Sequence, residues 1–380
     1  MTEKLYYQDA YIKEFDAQII SITEIDGGYD VVLDRTAFFP EEGGQSADTG
    51  YIGCAVVRHV YEKDGVVHHI TDDKPETNEN RCKVDFSLRF EKMQCHTAEH
   101  ILCGIINRLF GLDNVGFHLG DDEVTFDVNG VLDRAALDRV EEMANEVVFS
   151  NIKIETIFPS AAELSGIEYR SKLDITDGVR LVRIGDVDTC ACCAPHVGFT
   201  GEIGMIKILD FMKHRGGTRI WMVAGKRALL DYRQRYDSVK RISGMLSTPQ
   251  SMVADTLEGY IADSDQTRAN LKVARLKVAE LQAQVVEEKE GNGVFLLEDL
   301  SIPELIAFSN IAVSKISGIL VALSGSEGDY KYVISSRTVD LRSMSRDINS
   351  ALSGRGGGRP EMIQGSFGAS LDKIKEYFEK

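Results

Sequence analysis

The chain has 380 residues, seven cysteines and a formal net charge of −17, which at roughly 100–200 residues per domain allows two to four domains. A composition of 43% hydrophobic and 27% charged residues excludes disordered and fibrous classes, and no run approaches the roughly 20 apolar residues that span a membrane. The N-terminus has no basic region leading into an apolar stretch, and three of the odd number of cysteines crowd into residues 190–193; both features predict a cytoplasmic, reducing setting and a thiolate site rather than a disulfide framework.

The negative charge is uneven. Residues 1–90 hold nine Lys/Arg against 18 Asp/Glu and residues 91–225 hold 13 against 21, whereas the last 155 residues are neutral. An acidic surface of this kind is first a solubility device. Any nucleic-acid contact must use a local basic patch, and the neutral C-terminal region is the better place for one.

Residues 1–88 alternate apolar and polar in short runs, such as Tyr29-Asp-Val-Val-Leu-Asp and Gly65-Val-Val-His-His-Ile, separated by Asp26-Gly27-Gly28 and Gly43-Gly44. This predicts a small, mostly antiparallel β-barrel-like domain. From Arg89 to Leu112 the spacing becomes helical. A hairpin over 115–131 and a helix from about Asp133, its N-cap, to Asn151 follow. Strands resume to Val223, so residues 89–225 read as an α/β domain. Residues 226–290 carry two long periodic segments broken at Thr248-Pro249. The second, 252–290, repeats Leu257, Leu271, Val278 and Val285 at multiples of seven, predicting a coiled-coil helical hairpin that forms an arm. Residues 291–380 read as a C-terminal α/β domain with buried strands at 318–323 and 330–335, helices at 341–353 and 370–379, and a glycine-rich loop at 354–360. The fold class is therefore α+β.

His96-Thr97-Ala98-Glu99-His100 is the strongest local signal. Residues four apart share a helix face, so both imidazoles can bind one ion. About 90 residues on, Cys190-Ala191-Cys192-Cys193-Ala194-Pro195-His196 presents a thiolate and a third imidazole. Three nitrogens and a sulfur favour Zn2+ over hard cations. Cys192 has the four-residue offset from His196, with Cys190 and Cys193 as competitors. Four protein ligands normally close a site, so a catalytic role requires a displaceable ligand or a fifth position. His96-x-x-Glu99-His100 also fits an inverted zinc-peptidase pattern with Glu99 as general base, although that class calls for a carboxylate as third ligand.

Three segments, Thr36-Ala-Phe-Phe-Pro-Glu-Glu-Gly-Gly-Gln-Ser-Ala-Asp-Thr-Gly50, His96-Thr-Ala-Glu-His100 and Cys192-Cys-Ala-Pro-His-Val-Gly-Phe-Thr-Gly-Glu-Ile-Gly204, resemble the editing domain of alanyl-tRNA synthetase and its free-standing AlaX relatives. Gly354-Arg-Gly-Gly-Gly-Arg-Pro-Glu-Met-Ile-Gln-Gly365 resembles the DHH-associated C-terminal domain of the same synthetase. The metal turn departs from the family's usual Cys-Gly-Gly-Thr-His. The resemblance covers nearly the whole chain and matches the long AlaX form, without an aminoacylation domain.

The resemblance implies a zinc-dependent hydrolase that deacylates mischarged tRNA(Ala), with serine first and glycine second. Such a site is needed because a pocket sized for alanine rejects serine poorly, and it must hydrogen-bond the serine hydroxyl. Thr36 and Gln45 are the family-matched residues for that role, and Gly43 and Gly44 would admit the terminal adenosine close to the backbone. Lys213, Arg215 and Arg219 are candidates for the acceptor stem, and Arg355 and Arg359 for a phosphate. The synthetase analogy also allows a homodimer through the arm and C-terminal domain. A reading from another class is a tRNA-binding or assembly module whose zinc is structural.

Overall fold

Alternating runs become strands wherever one face can be buried. The computed structural model describes residues 1–76, 80–120, 124–171 and 178–379, which form two units, 1–240 and 241–380; the fold class is mixed α+β. In the first unit, seven antiparallel strands follow the order Glu14–Ala17, Asn80–Val84, Gly50–Ile52, Ala55–Lys63, Val66–Thr71, Gly28–Leu33, Ile19–Ile25. Register shifts at Ile19/Ser21 and Val57/His59 help curl this sheet into a half-barrel around Val31, Leu33, Phe38, Val57 and Val67.

Helix α1, Phe86–Phe110, starts where the Asp85 carboxylate accepts the Leu88 N–H and ends at left-handed Gly111. Residues 92–106 of it are buried without interruption, so α1 is a core helix rather than an amphipathic one. It packs with α2, Arg134–Phe149, on a four-stranded antiparallel sheet of Asn114–Leu119, Val124–Val128, Gly217–Ala224 and Ile206–His214. Arg89 near the start of α1 is fully buried. Its guanidinium is paired with Asp48 and donates to the Ala37 carbonyl at 2.5 Å and the Ala10 carbonyl at 3.2 Å. A second antiparallel sheet, Ile154–Ile157, Leu181–Ile184 and Asp188–Ala191, carries the cysteine-rich turn at its end. Helices α3, Ala161–Leu164, and α4, Gly225–Leu246, complete the order to that point.

In the second unit, α5 runs Val253–Gln284, six residues short of the expected end at 290. Beyond it, Lys289 bridges to Ile316 as extended chain. Of the heptad residues, Leu257, Leu271, Val278 and Val285 remain 41–79% exposed. The buried positions of α5 are Ala279 and Ala283, against Leu305 and Phe308 of α6, Ile302–Ala312. A five-stranded sheet follows in the order Gly293–Leu296, Ile319–Ser326, Asp329–Ser336, Met362–Phe367, Gly354–Arg359, flanked by α7, Leu341–Ala351, and α8, Leu371–Phe378.

The glycine-rich segment expected as a loop is the edge strand Gly354–Arg359. Side chains at Gly354, Gly356 or Gly358 would run into the strand Met362–Phe367, and one at Gly356 also into Tyr332. The glycines are therefore what lets the strand pair so closely.

Arg275 of α5 forks onto Glu304 at 2.7 and 3.2 Å. This pairing, with the Ser301 N–H at 2.6 Å, holds the Glu304 carboxyl down to about 2. Because the folded value lies below the ordinary 4.5, the stabilisation is complete above about pH 4.5 and is lost as pH falls through about 2. Glu304→Gln is expected to cost the second unit about 1.5–3 kcal/mol at pH 7. Hydrogen exchange in α6 would show that difference, and would show it shrinking between pH 4.5 and 2.5 if the carboxylate is its source.

Candidate metal centre

Helical spacing in α1 places His96 and His100 on one face, and the turn after Asp188–Ala191 brings Cys192 and His196 to meet them. Nε2 of His196 is 3.3 Å and Nε2 of His96 is 3.6 Å from Cys192 Sγ. The four donor atoms all lie within 4.8 Å of one another. Tetrahedral bonds of about 2.0–2.1 Å to nitrogen and 2.3 Å to sulfur separate such atoms by about 3.5 Å, so the donor set fits a metal ion. Each of the four residues is buried or nearly so.

The neighbours of the imidazoles fix which nitrogen faces the ion. His96 Nδ1 lies 2.8 Å from Gln45 Oε1, His196 Nδ1 3.0 Å from Thr97 Oγ1 and His100 Nδ1 3.2 Å from Asp188 Oδ2. Thr97 Oγ1 already donates to the Met93 carbonyl at 2.7 Å, so it accepts from His196. With every Nδ1–H donated outward, all three Nε2 lone pairs point at one place. Asp188 is itself clamped by Arg170 at 2.7 and 2.8 Å.

Electrostatics follow this geometry. Burial alone would push the Cys192 thiol up, but the imidazoles of His96, His196 and His100 outweigh it and hold the thiol well below its usual range. Burial takes His196 down to about 3. For His100 burial acts the same way, and its neighbours Cys190, Asp188 and Cys192 overcome it to raise the value well above normal. Asp188→Asn should weaken metal binding by about 10–100-fold, measured by competition with a chelating dye.

The other cysteines sit elsewhere. Cys190 shares a second, smaller donor group with His100 and Asp188. Cys193 lies against Gly43, where an added Cβ would be 3.6 Å from its Sγ.

An open cavity of about 1560 Å³ borders this centre, walled among others by Gly43, His96, Glu99, His100, Phe117 and Cys192. Phe117 packs on the His96 ring at 4.7 Å. Glu99 is buried beneath it. Its Oε1 accepts from Asn114 Nδ2 and from Cys103 Sγ at 3.1 Å, and its Oε2 lies 4.0 Å from His100 Nε2. Gly44 is left-handed, and a side chain there would run into the Phe117 carbonyl.

The remaining candidates fall in different places. Thr36 is fully buried in the half-barrel; its hydroxyl lies 2.9 Å from His69 Nε2 and accepts the Phe38 N–H at 3.1 Å. It is not among the residues walling the cavity. Gln45 is fully buried behind His96, with its Nε2 lacking a partner among the described residues. Arg219 forks onto Asp127 at 2.7 Å on both arms, while Lys213 and Arg215 are exposed at the same hairpin. Arg355 and Arg359 are exposed on the edge strand of the second unit. Sequence reasoning passed over Asp188, Asn114 and Thr97. Thr97 was in plain view inside the histidine motif, whereas Asn114 carries no local signal at all.

Comparison with known proteins finds similar sequences along the whole chain. Residues 2–88 match the family tRNA synthetases class II (A), and residues 179–240 match the Threonyl and Alanyl tRNA synthetase second additional domain. The alanyl-tRNA editing protein AlaX-L of Pyrococcus horikoshii is 26% identical, with all of both chains covered. The chain is similar to AlaX-L over its whole length. The alanine–tRNA ligase of Halobacterium salinarum is 32% identical over 86% of this chain and 38% of its own, and that of Pyrococcus furiosus 30% over 100% and 43%. The chain thus spans about two fifths of those ligases. Among the described residues, no helix is long and apolar enough to cross a membrane.

Proposed function

We propose that the chain is a zinc-dependent trans-editing hydrolase that removes serine, and secondarily glycine, from mischarged tRNA(Ala). The observation that carries the proposal is the convergence of His96, His100, Cys192 and His196 on one point beside an open cavity, in a chain whose full-length relative is named an alanyl-tRNA editing protein. The donor set of three imidazoles and a thiolate suits Zn2+. When bound, zinc supplies Lewis-acid polarisation of the ester carbonyl.

The chain's own residues do the rest. Glu99 is the group to take a proton from the attacking water, because Asn114 and Cys103 occupy one of its oxygens and leave Oε2 on the side of His100. Gln45 holds the His96 tautomer through Oε1, and its Nε2, buried behind His96 and without a partner among the described residues, is the proposed donor to a substrate hydroxyl. Gly43, walling the cavity in a left-handed turn with Gly44, lets the terminal adenosine lie against the main chain. For the body of the tRNA, Arg355 and Arg359 flank Gly357, where an added Cβ would meet nothing within 4 Å. That bare stretch of strand between two guanidiniums suits a phosphate backbone. Lys213 and Arg215 suit the acceptor stem better than Arg219, which is engaged by Asp127.

The test is ester loss from Ser-tRNA(Ala), Ala-tRNA(Ala) and Ser-tRNA(Ser), with wild type and His100→Ala. Loss of serine from alanine tRNA alone, abolished by the substitution, is expected. Survival of all three esters while the protein binds tRNA would leave a binding module with structural zinc.

A further inference from the structure

Each imidazole of the candidate centre is held from behind by a side chain, whereas among the described residues the Cys192 sulfur meets hydrogen-bond partners only in those imidazoles. Its place is therefore set by the turn that follows it. That turn is poor in main-chain bonds. Among the described residues, no backbone-to-backbone hydrogen bond is made by residues 193–197, and Pro195 has no N–H to give. At the far end the Val197 N–H donates to Thr97 Oγ1 at 3.4 Å.

The near end is held by Arg180. The strands that carry the turn close on the pair Leu181 and Ala191. One step beyond, the Cys192 N–H donates to the Arg180 carbonyl at 3.0 Å. The Arg180 side chain folds back, and its Nη1 donates to the Cys192 carbonyl at 2.6 Å and to the Ala194 carbonyl at 2.9 Å. One nitrogen thus spans the first three residues of the turn. Nη2 reaches the Thr156 hydroxyl only at 3.4 Å, and Nε has no partner among the described residues.

Arg180 is 8% exposed, and no carboxylate among the described residues pairs with it. Arg170, by contrast, is spent on Asp188. A buried guanidinium without a counter-charge is costly, so its field acts on whatever negative group is near. Burial pulls the Arg180 pKa down, and Cys192 is the first of the neighbours that push it back.

We infer that Arg180 is a positioning residue of the metal centre: its two carbonyl bonds give the turn the shape that aims Cys192 Sγ at the three imidazoles, and its unshared charge lowers the donor strength of the thiolate. A weaker sulfur donor leaves a four-ligand ion more electron-poor and readier for a further oxygen ligand. The inference deepens the hydrolase reading and rests on it for that use of the ion; its test reads metal binding and needs no ester.

The full chain, stripped of metal, is titrated with Co2+ alone. The d–d bands of the ion report affinity, and the thiolate-to-cobalt charge-transfer band reports how tightly the sulfur holds its electrons. Cys192→Ser is expected to remove the charge-transfer band. Arg180→Met is expected to bind Co2+ about 10–100-fold more weakly and to move that band to lower energy, because the sulfur loses a neighbouring cation. Wild-type affinity in Arg180→Met, weaker binding with an unmoved band, or a charge-transfer band that survives Cys192→Ser would each overturn the assignment, as would a wild type that binds no Co2+. Should Arg180→Met not fold, Arg180→Lys decides. Its ammonium ends one bond short of Nη1, so affinity should fall while the band stays near its wild-type position, and wild-type affinity there would also overturn the assignment. The expected shifts in a chain that deacylates nothing would remove the hydrolase and keep the role of Arg180; zinc-dependent deacylation with Arg180→Met binding Co2+ as wild type does would do the reverse.

Discussion

His100→Ala is expected to leave a folded protein that no longer retains zinc and that deacylates Ser-tRNA(Ala) at least about 1,000-fold more slowly, since metal polarisation of a carbonyl is worth several kcal/mol. Among the four candidate ligands His100 is expected to matter most because of what stands behind it. Its Nδ1 faces a carboxylate, Asp188, that is held by two Arg170 bonds, whereas His96 and His196 are backed by a neutral amide and a hydroxyl. A carboxylate makes an imidazole a stronger donor to a cation than either. Zinc stoichiometry by atomic absorption, alongside single-turnover deacylation, checks the prediction. Retained zinc with activity lost would mean that His100 acts on the substrate instead. Chelation of the wild type should reproduce the loss, and re-addition of Zn2+ should reverse it. Acidification should also release the ion, because protons compete for Cys192 and for every Nε2.

Arg89→Met is the largest stability effect expected in the first unit, about 3–5 kcal/mol. Arg89 is wholly buried, and so is Asp48, which also accepts the Phe39 N–H at 2.6 Å. Removing the guanidinium leaves a carboxylate without its counter-charge and strips donors from the Ala10 and Ala37 carbonyls. The pair ties α1, which carries two of the candidate metal ligands, to the segment that carries Gln45. Urea unfolding followed through Trp221, the sole tryptophan and part of the four-stranded sheet, reports on this unit. Asp48→Asn with Arg89→Met should cost less than the sum of the two single changes, because neither then strands a buried charge. Additive losses would show that the pair does not act as a unit.

How much of this was legible in the sequence varies by kind of signal. Periodicity located α1, α2, α7 and α8 to within a few residues, because each buries one stripe or its whole circumference and that pattern is written in local spacing. Helical spacing alone aligned His96 with His100. The glycine-rich segment at 354–359 was misjudged, since its glycines serve close strand pairing, a property of the partner strand and of Tyr332 that no local pattern contains. The long repeat in 252–290 overstated α5 for a related reason. Heptad spacing records which residues share a face, and here that face stays exposed while Ala279 and Ala283 make the contact.

By itself, the sequence determined the donor types, their spacing within each segment and the α+β class, because these depend on short-range geometry. Only the tertiary structure decided that Cys192, rather than Cys190 or Cys193, points at the three imidazoles, and that Gln45 backs a ligand while Thr36 is taken up by His69. Those outcomes turn on which atoms meet across 30 to 100 residues of chain. A buried hydrogen-bond donor finds its acceptor by packing, whatever their separation in sequence.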